Sequence, residues 1–433
     1  MVISINPLDR SFVQDPYPVY QRLREQAPVY WHEMTGYWWL TRYEDVWNAL
    51  RDPRFSSART DVLLRGISSS DVESTKFLRS LLEPRLLFTD GSQHGRLRSL
   101  LNHAFTPRQM ERMRPIVRAT IREQLATLQG RNHIEVISEL ADPLPSRMIC
   151  RIIGLPADRF DDFKEWTNDI YSFFGLAQGD LGDRARAAAI AGRAAARFLQ
   201  QLIDERRRSP ADDLLSALIQ AEEAGEKLTA HEIIFNIIGL LNAGHETTTN
   251  LLGNGLYLLL KHPDVLRAVR DDQNLLTAAI EETSRLESAV QMPGRILTEP
   301  VTLHGIELPA RANVLLLLGS ANRDPRAFPD PDTLSLERQG SRPVTFGYGP
   351  HFCIGAALAR MIAEEFFVSI LTEWKSIRIA DSVEWKPYPV FRGLSTLTVS
   401  VEVSDEDPLT VLKLPLDEMS RRIDEELQTP PSL

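Results

Sequence analysis

Apolar positions along this chain recur most often with the 3.6-residue period of a helix that buries one face. Ile234, Ile237, Ile238 and Leu241 follow i, i+3, i+4, i+7, and the apolar stretch from Ile233 to Leu260 predicts one long core helix. The Ala- and Arg-rich run from Asp183 to Arg208 strongly favours helix, and Ala356 to Phe367 predicts another near the C-terminus. Strand signals are short: Tyr37 to Thr41, Val301 to Leu308 around a His-Gly turn, and Leu397, Val399, Val401 and Val403 in strict alternation. The pattern is that of a mainly α protein with small accessory β-sheets. No repeat and no Gly/Ser- or Pro-rich linker interrupts it up to residue 404, so residues 1–404 are expected to form a single large domain. Asp405-Glu-Asp-Pro ends the last strand pattern. Leu416, Met419, Ile423 and Leu427 then share one face of a short helical pattern, so residues 405–433 read as a C-terminal extension of unassigned role.

Composition narrows the function classes. With 43% hydrophobic and 25% charged residues over 433 positions, the chain can bury a core. A net charge of −10 argues against nucleic-acid binding by overall electrostatics. The most apolar region is broken by Asn242, His245, Glu246 and Thr247, so no membrane span is expected. The first twenty residues lack the basic start and apolar stretch of a signal peptide, so the expected location is cytoplasmic; a monomer is also expected. Cys150 and Cys353 are too few for a disulfide framework and have neither CxxC nor CxxCH spacing.

The segment FGYGPHFCIGAALAR, Phe346 to Arg360, places a lone cysteine between glycines just before a helical run. A thiolate near a helix N-terminus is favoured by the dipole and by unpaired N–H groups, so Cys353 is expected to ionise easily and to ligate a metal. Gly349 and Gly355 are expected to let backbone pass close to a flat ligand. The blander reading is a small buried hydrophobe. In AGHETT, Ala243 to Thr248, polar residues interrupt the core helix, and a Thr247 hydroxyl bonded to the Ala243 carbonyl would bend it and open a groove. Glu282-Thr-Ser-Arg285 puts opposite charges on one helix face, usually a weak surface pair. In DGSQHGRLRSLLNHAFTPR, Asp90 to Arg108, His94 and Arg98 stand one turn apart as two donors suited to a carboxylate.

The spacing Phe-x-x-Gly-x-His-x-Cys-x-Gly, met by Phe346, Gly349, His351, Cys353 and Gly355, resembles the haem-binding loop of cytochromes P450. The other motifs, with ANRDPRAFPDPDTLSLER (Ala321 to Arg338), occur in the family's order, so the resemblance covers nearly the whole chain; Leu334 and Ser335 depart from the family's Phe-Asp. The resemblance implies a haem-thiolate monooxygenase with non-covalent haem b, the iron bound by Cys353, whose thiolate in this family pushes electron density toward O–O cleavage. It assigns Glu246 and Thr247 to proton relay toward bound O2, and Ala243 to the haem face. His94, Arg98, Arg295 (in Pro293-Gly-Arg295) and His351 would bind the haem propionates. Glu282, Arg285 and Arg338 would form a buried network bracing the cysteine loop.

Pocket walls in the family come from variable segments, here Leu81 to Phe88, Phe173 to Gln178, Leu240, Val290 to Met292 and Phe391 to Leu394. The lining residues expected from them and from the core helix are Phe88, Leu240, Gly244, Val290, Met292 and Leu394, mostly apolar, which favours a lipophilic small-molecule substrate such as a polyketide, terpenoid or fatty acid. Arg108, Arg112, Arg114, Arg118 and Arg122 make one basic helix in an acidic protein. The resemblance puts it on the cysteine side, where an acidic ferredoxin or flavodoxin, fed by its reductase from NAD(P)H, would dock. A peroxygenase, a haem-thiolate isomerase or dehydratase, and a non-enzymatic haem sensor remain alternatives.

Overall fold

The computed structural model describes residues 5–403, apart from 66, 68–70, 104, 174–179 and 224. The expected C-terminal extension, 405–433, and residues 174–178 of the expected pocket wall lie outside the described residues.

A helix from Ala230 to Lys261 forms the axis of the molecule, and twenty of its 32 residues are buried. Burial on nearly every face explains why its sequence is apolar almost all round rather than striped. It begins three residues before the expected Ile233 because Thr229 and Glu232 make a reciprocal capping box, each side chain bonding the other's backbone N–H. The Asp183–Arg208 pattern becomes the helix Leu181–Arg208, started by Asp180, whose side chain accepts from the Asp183 N–H. The C-terminal run extends through Ala356–Glu373.

The sheets are small and peripheral. The largest has five strands in the order Val29–His32, Tyr37–Leu40, Asn313–Leu316, Gly294–Leu297, Phe55–Ser56. Its Tyr37–Leu40 and Asn313–Leu316 strands pair in parallel, with Trp38 opposite Val314 and Leu40 opposite Leu316. Gly294–Leu297 is an inner strand, which fixes the direction of Arg295. The His-Gly turn joins Val301–Leu303 to Ile306–Leu308, both turn residues having positive φ (His304 50°, Gly305 76°), as tight hairpins require. In Thr398–Val403, Val399 and Val401 point into the core, and this strand lies between Trp374–Ile379 and His133–Glu135.

Candidate functional site

The cysteine loop is set by its backbone. The Cys353 N–H donates to the Phe346 carbonyl at 2.9 Å, and the Ala356 N–H to the Cys353 carbonyl at 3.3 Å, so the loop closes on itself before the helix starts at Ala356. Gly349 has φ +71°, and a Cβ there would sit 2.7 Å from the Leu50 carbonyl oxygen. Its glycine is therefore required by packing against the Leu50–Arg51 backbone as well as by its positive φ. At Gly355, by contrast, a Cβ would meet nothing within 4 Å.

Cys353 keeps accessible surface although protein closes around it. Burial pushes its thiol above the ordinary value, against the opposing pull of the Gly355 N–H, Arg98 and Arg360. Desolvation thus works against the easy ionisation expected from the helix N-terminus, while the Gly355 N–H and the two guanidinium groups work for it. Among the described residues no three His, Cys, Asp or Glu side chains gather as a metal site. A metal at Cys353 would take its other donors from an organic chelate.

Beside this loop, positive and imidazole groups crowd around one carboxylate. His94 is buried and its Nε2 has no hydrogen-bond partner among the described residues. Burial, then His351 and Arg98, lower its pKa to about 4. Arg295 is buried, bonds only the Gly294 carbonyl (2.8 Å) among the described residues, and is lowered to about 9 by burial and by neighbouring Arg59. Arg59 is lowered to about 10 by burial. Arg98 is also lowered, by burial. The one acid among the described residues here is Asp90, which accepts from Ser56 Oγ (2.5 Å), from the Ser57 and Ala58 N–H groups and from His351 Nε2 (3.1 Å). Burial alone would raise its carboxyl, but these donors hold it well below the usual range. Asp90 is already saturated with donors, so the cluster has room for further anionic oxygens.

Neither Arg59 nor Asp90 was assigned a role by sequence. Arg59 reaches the cluster from an irregular segment because Gly294 leaves space; a Cβ there would stand 3.2 Å from Arg59 Nε. No spacing rule signals such a contact.

In the central helix, Thr247 Oγ1 donates to the Ala243 carbonyl at 2.5 Å, the back-bond expected from AGHETT. Ala243 is exposed although Leu241, Asn242 and His245 around it are buried, so the helix borders a hollow at this turn. Glu246 accepts from Lys386 Nζ at 2.8 Å, a tether from the C-terminal part of the chain that sequence did not indicate. His245 bonds Asp142 Oδ1 at 2.9 Å on the opposite, packed side.

Glu282, Arg285 and Arg338 are brought together. Arg285 is wholly buried and grips Glu282 through Nε (2.7 Å) and Nη2 (3.0 Å), while Arg338 Nε meets Glu282 Oε2 at 2.9 Å. The departing residue Ser335 takes part through its backbone N–H, 3.1 Å from the same oxygen. Burial, which alone would raise the Glu282 carboxyl, is outweighed by these partners, and it stays below the ordinary value.

The expected pocket walls divide. Leu240, Gly244 and Val290 keep accessible surface. Met292, with no accessible surface, instead packs with Phe12, Tyr20 and Trp39, and Leu394 joins the main core; neither can touch a ligand as packed. Phe88 is buried with the Arg59 guanidinium 5.0 Å from its ring centre. The basic helix, Pro107–Ala126, also differs from expectation. Arg114 and Arg118 both pair with the buried Glu365, and Arg112 pairs with Asp212, leaving Arg108 and Arg122 exposed without an ion pair among the described residues.

A mainly helical domain, with a lone cysteine before a helix and a cationic cluster beside it, defines a protein built to hold a thiolate-bound cofactor with acidic arms. The model of the family Cytochrome P450 matches residues 62–399. The chain is 39% identical to cytochrome P450 107B1 of Saccharopolyspora erythraea, over 90% of this chain and 96% of that one. It is 36% identical to the cytochrome P450 monooxygenase PikC of Streptomyces venezuelae, over 92% and 94%. Among solved structures, P450BioI in complex with hexadec-9Z-enoic acid ligated acyl carrier protein superposes with a TM-score of 0.84 at 33% identity, covering 91% of this chain and 99% of that one. The chain belongs to the cytochrome P450 family, and it is a cytochrome P450 monooxygenase. The family's cofactor is a haem-thiolate. Among the described residues no helix is long and apolar enough to cross a membrane.

Proposed function

We propose that this monooxygenase holds haem b non-covalently and inserts one oxygen atom of O2 into a C–H bond of a lipophilic small molecule, with electrons from NAD(P)H through a ferredoxin or flavodoxin and its reductase. The observation that carries the reading is the cluster of Arg59, His94, Arg98, Arg295 and His351 around the single carboxylate of Asp90, beside Cys353. Two propionates would neutralise charges that otherwise cost several kcal/mol each to bury. The orphaned Nε2 of His94 and the open side of Gly355 fit such a group.

When bound, the haem supplies activation of O2. Cys353 would hold its iron, with the Phe346 carbonyl and Gly355 N–H orienting the cysteine loop. Thr247 spends its own proton on the Ala243 carbonyl, which leaves its oxygen as an acceptor facing the hollow. Glu246 is the nearby acid that holds or passes a proton, with Lys386 fixing its carboxylate. The accessible surface of Leu240, Gly244 and Val290 excludes water around an apolar substrate.

The test is the absorption of dithionite-reduced protein under carbon monoxide. The red-shifted Soret band of a thiolate-bound haem is expected, and its loss in Cys353→His. A histidine-type band in the native protein, or failure to bind haem, would overturn the reading.

For the redox partner, the helix carrying Arg108 and Arg122 packs on the helix that starts at the cysteine loop. An open groove of about 500 Å³ on that loop, lined by Arg51, Arg342, Tyr348, Gly349, Pro350 and Phe352, adds two further cations. Reversing Arg108 and Arg122 to Glu should slow reduction by an acidic ferredoxin about tenfold at low salt, and less at high salt, without changing substrate affinity. Stopped-flow reduction checks this; equal rates at low salt would remove the surface from consideration.

A further inference from the structure

Arg85 is a buried cation that belongs neither to the cofactor cluster nor to the Glu282 network. It is 4% exposed, yet its Nε and Nη2 have no hydrogen-bond partner among the described residues, and it makes no ion pair with any of them. Burial lowers its pKa to about 9, with no charged neighbour contributing, which separates it from Arg59 and Arg295, which act on each other, and from Arg98, which acts on His94. A guanidinium in this condition costs several kcal/mol unless something pairs with it.

Its position says what could. Arg85 begins the turn Leu86–Phe88, which Asn236 of the central helix pins by donating to the Pro84 carbonyl (2.8 Å) and accepting from the Leu86 N–H (2.9 Å). The side chain then crosses Gly239, where a Cβ would stand 3.4 Å from Arg85 Cδ and 3.8 Å from Nε. Gly239 lies one turn before the exposed Ala243 and two turns before Thr247, on the same stripe of the helix. The far end of the turn, Phe88, lies against Arg59 of the cofactor cluster. Arg85 is therefore packed against the central helix one turn before the exposed Ala243, beside partly accessible Leu240, and a ligand reaching it from that side would have to displace the packing over its guanidinium.

We propose that Arg85 anchors a carboxylate of the substrate, so that the molecule oxidised is a lipophilic acid rather than a neutral hydrocarbon. This rests on the monooxygenase reading and makes its substrate class specific. A charged, two-pronged donor inside an apolar wall selects an amphipathic ligand: the carboxylate takes two N–H bonds from the guanidinium, and the hydrocarbon part fills the remaining surface. Gly239 and Thr247 are eight residues apart, roughly 12 Å along the axis. An acid held at Arg85 therefore has to extend along the helix before one of its C–H bonds comes beside Thr247.

The experiment uses the haem-loaded protein and a panel of saturated fatty acids, a diterpene acid and a bile acid, each beside its methyl ester. Binding is read by calorimetry and by the substrate-induced change in the haem absorption. Acids of at least one shape should bind about tenfold or more tightly than their esters, and Arg85→Leu should remove the preference while Arg85→Lys keeps part of it. Arg85→Leu should also raise the unfolding temperature, because it removes an unpaired buried charge. Haem transfer to apomyoglobin should be as slow as in the native protein. No acid binding more tightly than its ester overturns the proposal; so does a lower unfolding temperature in Arg85→Leu, which would make the residue structural. Faster haem loss in that variant would instead assign Arg85 to the cofactor's own carboxylates. The carbon monoxide spectrum, recorded first, separates all of these from failure of the haem-thiolate reading.

Discussion

Glu282→Gln is expected to cost about 3–5 kcal/mol of stability, the usual penalty for removing one member of a buried charge network. Both carboxylate oxygens are committed: Oε1 to Arg285 Nε, and Oε2 to Arg285 Nη2, Arg338 Nε and the Ser335 N–H. A glutamine keeps one acceptor and turns an NH2 toward donors, leaving two guanidinium groups facing each other without compensation. Arg285 cannot move into water, because it is fully buried and also donates to the carbonyls of Asn322, Pro331 and Thr333. Those carbonyls belong to the segment that leads into the cysteine loop, so haem retention should fall with stability. Urea denaturation of the haem-loaded protein measures the cost; a loss below about 1 kcal/mol would mean the network is as weak as a surface pair.

The same network predicts a pH dependence. The Glu282 carboxyl is held below its unfolded value, which is about 4.3. Its contribution is therefore fully present above about pH 4.3 and is lost as pH falls through the lower folded value. The stabilities of Glu282→Gln and the native protein should converge only in that acid range.

Thr247→Ala should lower product formed per NAD(P)H by about tenfold or more while NAD(P)H consumption continues. The reason lies in the bond to Ala243: with its proton committed there, the hydroxyl offers an acceptor at a fixed place, and alanine removes that acceptor together with the back-bond. Loss of this bond to a partly buried hydroxyl should change stability by only about 1 kcal/mol, so the effect is separable from misfolding. Thr247→Ser should restore most of the coupling. Glu246→Gln should lower turnover further, by about a hundredfold, because the ionisable group itself is gone. Full coupling in Thr247→Ala, measured as product against NAD(P)H consumed, would sink the assigned role.

Contacts between residues that are near neighbours along the chain are legible in the amino-acid order. The cysteine loop, the Thr247 back-bond, and the Glu282–Arg285 pair depend on spacing within one loop or one helix, and local geometry follows from spacing. Alternation likewise marks Val399 and Val401 as inward-facing in their strand. The basic helix is legible as a helix but not as a docking face, because its charges at 114 and 118 are consumed by Glu365 from a helix some 250 positions later.

The sequence alone determined the helical architecture, the position of the lone cysteine before its helix and the family, since each is written in contiguous periodicity or motif. Only the tertiary structure decided that Arg59 and Asp90 join the cationic cluster beside Cys353, that Lys386 tethers Glu246, and that Arg85 stands beside the central helix with no ion-pair partner among the described residues. It also turned Met292 and Leu394 from pocket walls into core. The physical reason is common to all of these. Burial and charge compensation are set by what the rest of the chain packs around a side chain, and the residues that do so here lie far from each of these positions in the sequence.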